Sequence, residues 1–279
     1  MSQWITAHEP WIRISFFVGI LIVMALWEQL APKRNRVAGR GGRWLSHLGI
    51  SLINTAAVRL LLPATAVGMA VLAESAGWGL LNRYAAPYWL QLVAGVVVLD
   101  FAIYLQHVMF HAVPMLWRLH RVHHADLDFD VTTGIRFHPF EILLSMLIKY
   151  AAIVAFGTPA TAVLIFEVLL NATSMFNHGN VRLPRALDRW LRLLVVTPDM
   201  HRVHHSVAPH ETNSNFGFNL PWWDRLLGTY KDQPEAGHEG MTIGLEGWRD
   251  EKRLERLPGI LMLPFRYPSG DRYPINRRW

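Results

Sequence analysis

Histidine is the residue type with the most chemistry to offer in this chain. Fourteen are present, and eight fall into three short clusters. The first is His107-Val-Met-Phe-His111 and the second His120-Arg-Val-His123-His124. The third, His201-Arg-Val-His204-His205, repeats the second letter for letter. On a helix, residues three and four apart share a face, with Cβ atoms roughly 5–6 Å apart. Each cluster therefore turns two or three imidazoles toward one point. A neutral imidazole offers one ring nitrogen to a metal and one N–H to a partner that orients it. Iron, zinc, copper and nickel all accept such ligands. Eight imidazoles are too many for one ion and suit two ions in one pocket. The nitrogen-rich set differs from the soluble di-iron bundles, which use mostly glutamate.

Two further histidines belong with these. His138 sits in Arg136-Phe-His-Pro-Phe-Glu141, and His178 follows Asn177. They flank an apolar hairpin that returns the chain to the side it left, so both are expected as additional metal ligands. Asp100 lies seven residues before His107 on the same helical face, placed to accept the N–H of a liganding histidine. Glu141 and Asn177 are expected in similar supporting positions. Asp224, in Trp222-Trp223-Asp224-Arg225, either bonds a histidine or caps a helix as the tail docks. No catalytic residue separate from the metal ligands is expected. His8, His47, His210 and His238 fall outside the pattern.

A membrane bundle is what must position these side chains. Hydrophobic residues make up 52% and charged residues 17% of the chain, against roughly 25% charged in soluble proteins. Apolar runs cover 14–30, 45–72 with Pro63 as a break, 89–108, 140–156 and 160–176. The first is long enough to cross a hydrocarbon core of roughly 30 Å. No small-residue cleavage site follows it, so it reads as a retained span and not a signal peptide. Lys33, Arg34, Arg36, Arg40 and Arg43 then mark the cytoplasmic side. The net charge of +6 is accordingly read as topology and not as nucleic-acid binding. The crossings that follow bring every histidine cluster to that same face. Trp11, Trp27, Trp44, Trp78 and Trp89 lie near the ends of the runs, where indole rings favour the membrane–water interface. The absence of cysteine excludes disulfides, thiolate metal sites and cysteine-ligated clusters. The expected fold class is all-α: an integral membrane helical bundle of about four to five spans with a cytosolic, helical, histidine-rich di-metal cap. It is read as a single domain over 1–279. Transmembrane helices fill 1–97, the histidine motifs 98–230 and a cytosolic tail 231–279.

Taken together, His107 to His111, His120 to His124, Arg136-Phe-His138-Pro, Asn177-His178, His201 to His205 and Trp223-Asp224…Gly228-Thr229-Tyr230 resemble the fatty acid hydroxylase and sterol desaturase superfamily. These are membrane di-iron oxygenases. The resemblance covers 98–230. The short gap between the first two clusters fits this superfamily better than the acyl-lipid desaturases, which space them more widely. The resemblance implies two iron ions, with zinc able to replace them in purified protein. It also implies dioxygen activation and hydroxylation or desaturation of a lipid. It carries the ligand role to the eight motif histidines and extends it to His138 and His178. The implied partners are a lipid substrate, dioxygen and the membrane. The chain has no convincing dinucleotide fingerprint and no haem-attachment motif. Electrons are therefore expected from a separate donor, a ferredoxin or a cytochrome with its reductase. A zinc-dependent membrane hydrolase is one rival, but it usually needs a positioned general base of the HExxH kind. A non-enzymatic metal or haem carrier is another, though haem takes only two axial ligands. The residues leave open which lipid is used, and whether an alcohol or an alkene results.

Overall fold

The long apolar runs fold as helices because a backbone in lipid must satisfy its own hydrogen bonds. The computed structural model describes residues 2–84 and 86–266. In chain order the helices are α1 (Ser2–Leu30), α2 (Arg40–Leu61), α3 (Ala66–Ser75), α4 (Leu80–Arg83), α5 (Tyr88–Ala112) and α6 (Pro114–His124). Then come α7 (Pro139–Phe156), α8 (Ala160–Asn177), α9 (Arg185–Leu191), α10 (Pro198–His204), α11 (Pro209–Thr212) and α12 (Trp222–Leu227). Three short helices finish the set: α13 (Gly237–Gly240), α14 (Glu251–Leu254) and α15 (Leu257–Met262). Among the described residues no strand forms; Pro32 with Val181 and Ser206 with Ile243 make isolated bridges. Among the described residues five segments are long and apolar enough to cross a membrane: Ala7–Leu30, Arg40–Arg83, Tyr88–Ala112, Pro139–Phe156 and Ala160–Asn177. The protein is thus an all-helical, multi-pass membrane protein.

Local sequence explains where the helices stop. Pro63 has no N–H to donate; α2 ends at Leu61, and α3 restarts with the Thr65 hydroxyl capping the Gly68 N–H at 3.0 Å. Pro139 opens α7 at a position that tolerates its missing donor. Gly157 closes α7 in the left-handed region, at φ 66°. A Cβ there would stand 2.7 Å from the Trp78 carbonyl oxygen and 2.8 Å from Asn82 Nδ2. Only glycine makes the turn into α8.

The spans pack around Leu99, Ile103, Ile153, Val163 and Phe166, with Ala66, Val67 and Ala70 of α3 closing one side. Their outer faces leave Leu30, Leu52, Leu60 and Leu61 bare, a surface suited to lipid. Trp11, Trp78 and Trp89 are exposed. Trp27 and Trp44 instead pack beside Met24, Met175 and Val181, and Trp44 Nε1 donates to Asp130 at 3.0 Å. Within the bundle, Glu167 of α8 accepts from Arg13 of α1 and Lys149 of α7, each at 2.7 Å. Such charges are tolerated at membrane depth because they are paired.

The segment after Tyr230 does more than dock. Leu254, Ile260 and Leu263 form a core with Ile50 and Trp117. Glu255 reaches Arg136 Nη1 at 2.6 Å. The last part of the expected tail, 267–279, lies outside the described residues.

Candidate metal centre

Nine of the ten histidines expected as ligands converge, and they do so in two groups. His107, His111, His120, His124 and His204 form the first; His123, His178, His201 and His205 form the second. All nine are at most 3% exposed. Each group offers ring nitrogens lying within 4.8 Å of one another. The two HxxHH clusters do not serve one group each. On α6, His120 and His124 turn to the first group and His123 to the second. Around α10, His201 and His205 turn to the second and His204 to the first. The cause is helical geometry: consecutive residues diverge by about 100° around a helix of 3.6 residues per turn. Accordingly the His123 and His124 rings stand at 89° to each other, with centroids 5.4 Å apart. α10 is set by Thr197, whose hydroxyl accepts from the Met200 N–H, and by Pro198 in the first turn.

The hydrogen bonds fix which ring nitrogen is free. A carbonyl or carboxylate oxygen only accepts, so the imidazole nitrogen facing it must carry the proton. His107 Nδ1 donates to the Phe216 oxygen at 2.8 Å, His204 Nδ1 to the Ser214 oxygen at 2.7 Å and His178 Nδ1 to the Ser174 oxygen at 2.6 Å. His120 Nδ1 donates to Glu141 Oε1 at 2.6 Å, and His111 Nδ1 to Asn213 Oδ1 at 3.1 Å. The Nε2 atoms of these five rings are therefore bare lone pairs; four point at other imidazole nitrogens, and that of His204 is buried without a partner. His107 and His120 Nε2 are 3.0 Å apart, and His111 and His124 Nε2 are 3.1 Å apart. His178 Nε2 faces those of His123 at 3.0 Å, His201 at 3.1 Å and His205 at 3.2 Å. One proton cannot bridge three such contacts. A cation can: with metal–nitrogen bonds of about 2.1 Å, two ligands at right angles stand about 3.0 Å apart, whereas tetrahedral ones stand about 3.4 Å apart. The all-imidazole donor set of each group fits a bound metal ion.

Burial, reinforced by the neighbouring rings, holds His123, His124, His201, His204 and His205 well below the ordinary imidazole range. Burial pushes His120 down to about 3 and His178 down to about 4, the latter opposed by its bond to Ser174. These rings are neutral at physiological pH, as metal ligation requires.

His138 is not brought to either group. Pro139 and the start of α7 fix it as a helix cap, where Nδ1 accepts from the Phe140 N–H at 3.3 Å. Its Nε2 donates to the Leu261 oxygen at 3.3 Å. Of the supporting residues, Glu141 bonds His120. Asp100 does not. Its carboxylate accepts from the Asn219 and Leu220 N–H groups, both at 3.3 Å, and from Trp223 Nε1 at 2.8 Å. Asn177 donates to the Phe218 oxygen at 3.1 Å. Asp224 accepts from the Phe216 and Gly217 N–H groups at 2.7 and 2.9 Å, and from the Thr229 hydroxyl at 2.7 Å. Burial raises the Asp224 carboxyl to about 6 against these bonds. All three hold the 216–223 loop, and the loop orients His107 through the Phe216 oxygen.

A buried ion network lies beside the groups. Arg43 grips Asp126 through Nε at 2.6 Å and Nη2 at 2.9 Å, and also bonds Asp130. Arg136 Nη1 stands 2.6 Å from Glu255 Oε2 and 3.0 Å from His47 Nε2. His47, Asp126 and Glu255 also cluster at ligand distance, but the two guanidinium groups already supply the positive charge there. Sequence reasoning missed this network because Glu255 arrives from the far end of the chain. It also missed Asn213 and the carbonyls of Ser174, Ser214 and Phe216. Their proximity to the histidines is created only by the fold.

The family described as fatty acid hydroxylase matches residues 92–229. Over 253 residues the chain is 28% identical to the ornithine lipid hydroxylase OlsE of Rhizobium tropici, covering 86% of this chain and 72% of that protein. It is 28% identical to alkylglycerol monooxygenase of Homo sapiens over 55% of this chain and 33% of that protein. It is 25% identical to cholesterol 25-hydroxylase of Rattus norvegicus over 54% of this chain and 51% of that protein. No solved structure matches. Hydroxylases and monooxygenases are oxidoreductases. With five segments among the described residues long and apolar enough to cross a membrane, and the histidine groups in the matched region, the chain belongs to the fatty acid hydroxylase superfamily as a multi-pass membrane oxidoreductase.

Proposed function

We propose that the chain hydroxylates or desaturates a lipid with dioxygen at two iron ions held by the nine clustered histidines. The carrying observation is the pair of adjacent, buried, all-imidazole groups whose Nε2 lone pairs face one another. Iron bound there would supply dioxygen activation and removal of hydrogen from an unactivated C–H bond. The protein's own residues do the rest. The oxygens of Phe216, Ser214, Ser174 and Glu141 orient the rings. The apolar core of the spans excludes water and admits an alkyl chain. Hydroxylation consumes the C–H bond, one dioxygen, two electrons and two protons, giving an alcohol and water. Desaturation consumes the same inputs and gives an alkene and two waters.

The two electrons come from a separate donor, a ferredoxin or a cytochrome with its reductase. The site faces the cytoplasm, a reading supported by the basic residues from Lys33 to Arg43 on the same side as the histidines. Residues 1–279 act as one domain. The reading is tested by anaerobic metal analysis and by turnover under isotopically labelled dioxygen with lipid extracts. Iron near two per chain and labelled hydroxylated lipid, or dioxygen-dependent alkene, are expected. Full iron occupancy with no dioxygen-dependent lipid product under any donor system would refute it.

A further inference from the structure

We infer that Phe137 and Phe218 form the substrate-facing pair, and that their bulk selects which carbon of the lipid chain meets the metals. The inference rests on the oxygenase reading and adds the route and the residues that set specificity.

The aromatic residues around the histidines divide by which group they touch. Phe129 packs on His178, His201 and His205, all of the second group. Phe216 packs on His107, His111 and His204, and Trp117 on His111, His120 and His124, all of the first. Phe137 and Phe218 differ, because each meets both groups. Phe137 stacks on His123 of the second group at 4.4 Å and lies 6.3 Å from His120 of the first. Phe218 lies 5.2 Å from His107 of the first group and 6.1 Å from His201 of the second. A carbon held at both rings is therefore beside both groups at once.

The same two residues belong to the apolar core of the spans. Phe218 is part of the cluster that holds Leu99, Ile103 and Phe166, and Phe137 packs against that cluster. An alkyl chain entering from that core would meet these rings where the core borders the histidines. Their backbones are pinned by polar residues of the spans. Asn54 Nδ2 of α2 donates to the Phe137 oxygen at 2.9 Å, and Asn177 Nδ2 of α8 to the Phe218 oxygen at 3.1 Å. Asp100 accepts the next N–H, that of Asn219. Polar side chains within spans are costly unless they serve a purpose; here they fix the loops that carry the two rings. Elsewhere the groups are closed by Glu141, by backbone oxygens and by Arg202, whose guanidinium lies over Phe129 at 5.1 Å, while Phe129, Phe216 and Trp117 each reach one group alone.

The test uses the full chain in nanodiscs. In the metal-free protein, a phospholipid carrying an alkyl diazirine should cross-link to the peptides bearing Phe137 and Phe218. In the iron-loaded protein supplied with a donor system, Phe137→Leu and Phe218→Leu should move the position of oxidation along the chain or spread it over neighbouring carbons, with iron per chain unchanged. Phe218→Trp should lower turnover at least tenfold on the same lipid. Cross-links mapping elsewhere, or an unchanged product pattern in both leucine variants, would overturn the inference. Absence of any lipid oxidation by the wild type would instead overturn the oxygenase reading, while the cross-link still reports on the pair.

Discussion

Glu141 gives the sharpest test of how the site is supported. Its Oε1 accepts from His120 Nδ1 at 2.6 Å, and both side chains are about 95% or more buried. Leaving a buried donor such as the His120 Nδ1–H without its acceptor costs about 1–3 kcal/mol. At about 1.4 kcal/mol per tenfold, Glu141→Ala should weaken the first ion's affinity by about 5–150-fold, which brackets the 10–100-fold typical of removing a ligand's outer partner. Glu141→Gln keeps an acceptor oxygen, so its loss should be about tenfold or less. The effect should fall on the first group, because His120 belongs there and not to the second. Chelator competition against ferrous ion, anaerobically and in detergent, reads this directly. One ion per chain should leave early in the alanine variant, with the glutamine variant between it and wild type. Wild-type release from Glu141→Ala would show that the short bond does not support the ligand.

Two other outcomes follow from the geometry. His178→Ala should cut iron from about two to about one per chain, since His178 Nε2 faces three other ligand nitrogens. His138→Ala should leave metal content unchanged and cost about 0.5–2 kcal/mol as a lost helix cap; iron loss from the second variant equal to the first would contradict the placement of His138. With the metals stripped, burial holds His120 at about 3 and His178 at about 4, below the ordinary 6.5. The folded values lie below the unfolded one, so the unfolded chain takes up protons first. The stability is present above about pH 6.5 and is lost as pH falls toward 4, at about 2 kcal/mol per histidine by pH 5. Thermal melts of the stripped protein from pH 7.5 to 5 should show a steep fall in midpoint, and a flat profile would refute this account.

How much of this was legible in the sequence varied by kind of residue. The spans were readable because lipid demands long apolar helices, and Pro63 breaks one of them for a backbone reason that needs no neighbours. The eight motif histidines were readable because their spacing is helical. The division of each HxxHH between two groups was not, since it depends on how α6 and α10 face each other. His138 and His178 looked alike as isolated histidines near hairpin ends. Their fates differ because Pro139 makes His138 a cap, whereas His178 ends α8 with its Nδ1 on the Ser174 carbonyl. Asp100 showed the right face and the wrong partner: it sits on the same stripe as His107 but meets a loop arriving from beyond residue 215. Backbone carbonyls hold three of the ligand rings, and any residue type supplies a carbonyl, so no letter of the sequence marks them.

The splitting of each HxxHH cluster makes α6 a lever with its fulcrum between the two histidine groups. A small rotation of the helix that moves His120 and His124 within the first group also moves His123 within the second, and α10 couples His204 to His201 and His205 in the same way. The two groups are thus tied through the peptide backbone, and a metal ion held in one would feel a change of bond length at the other through the turn of a helix.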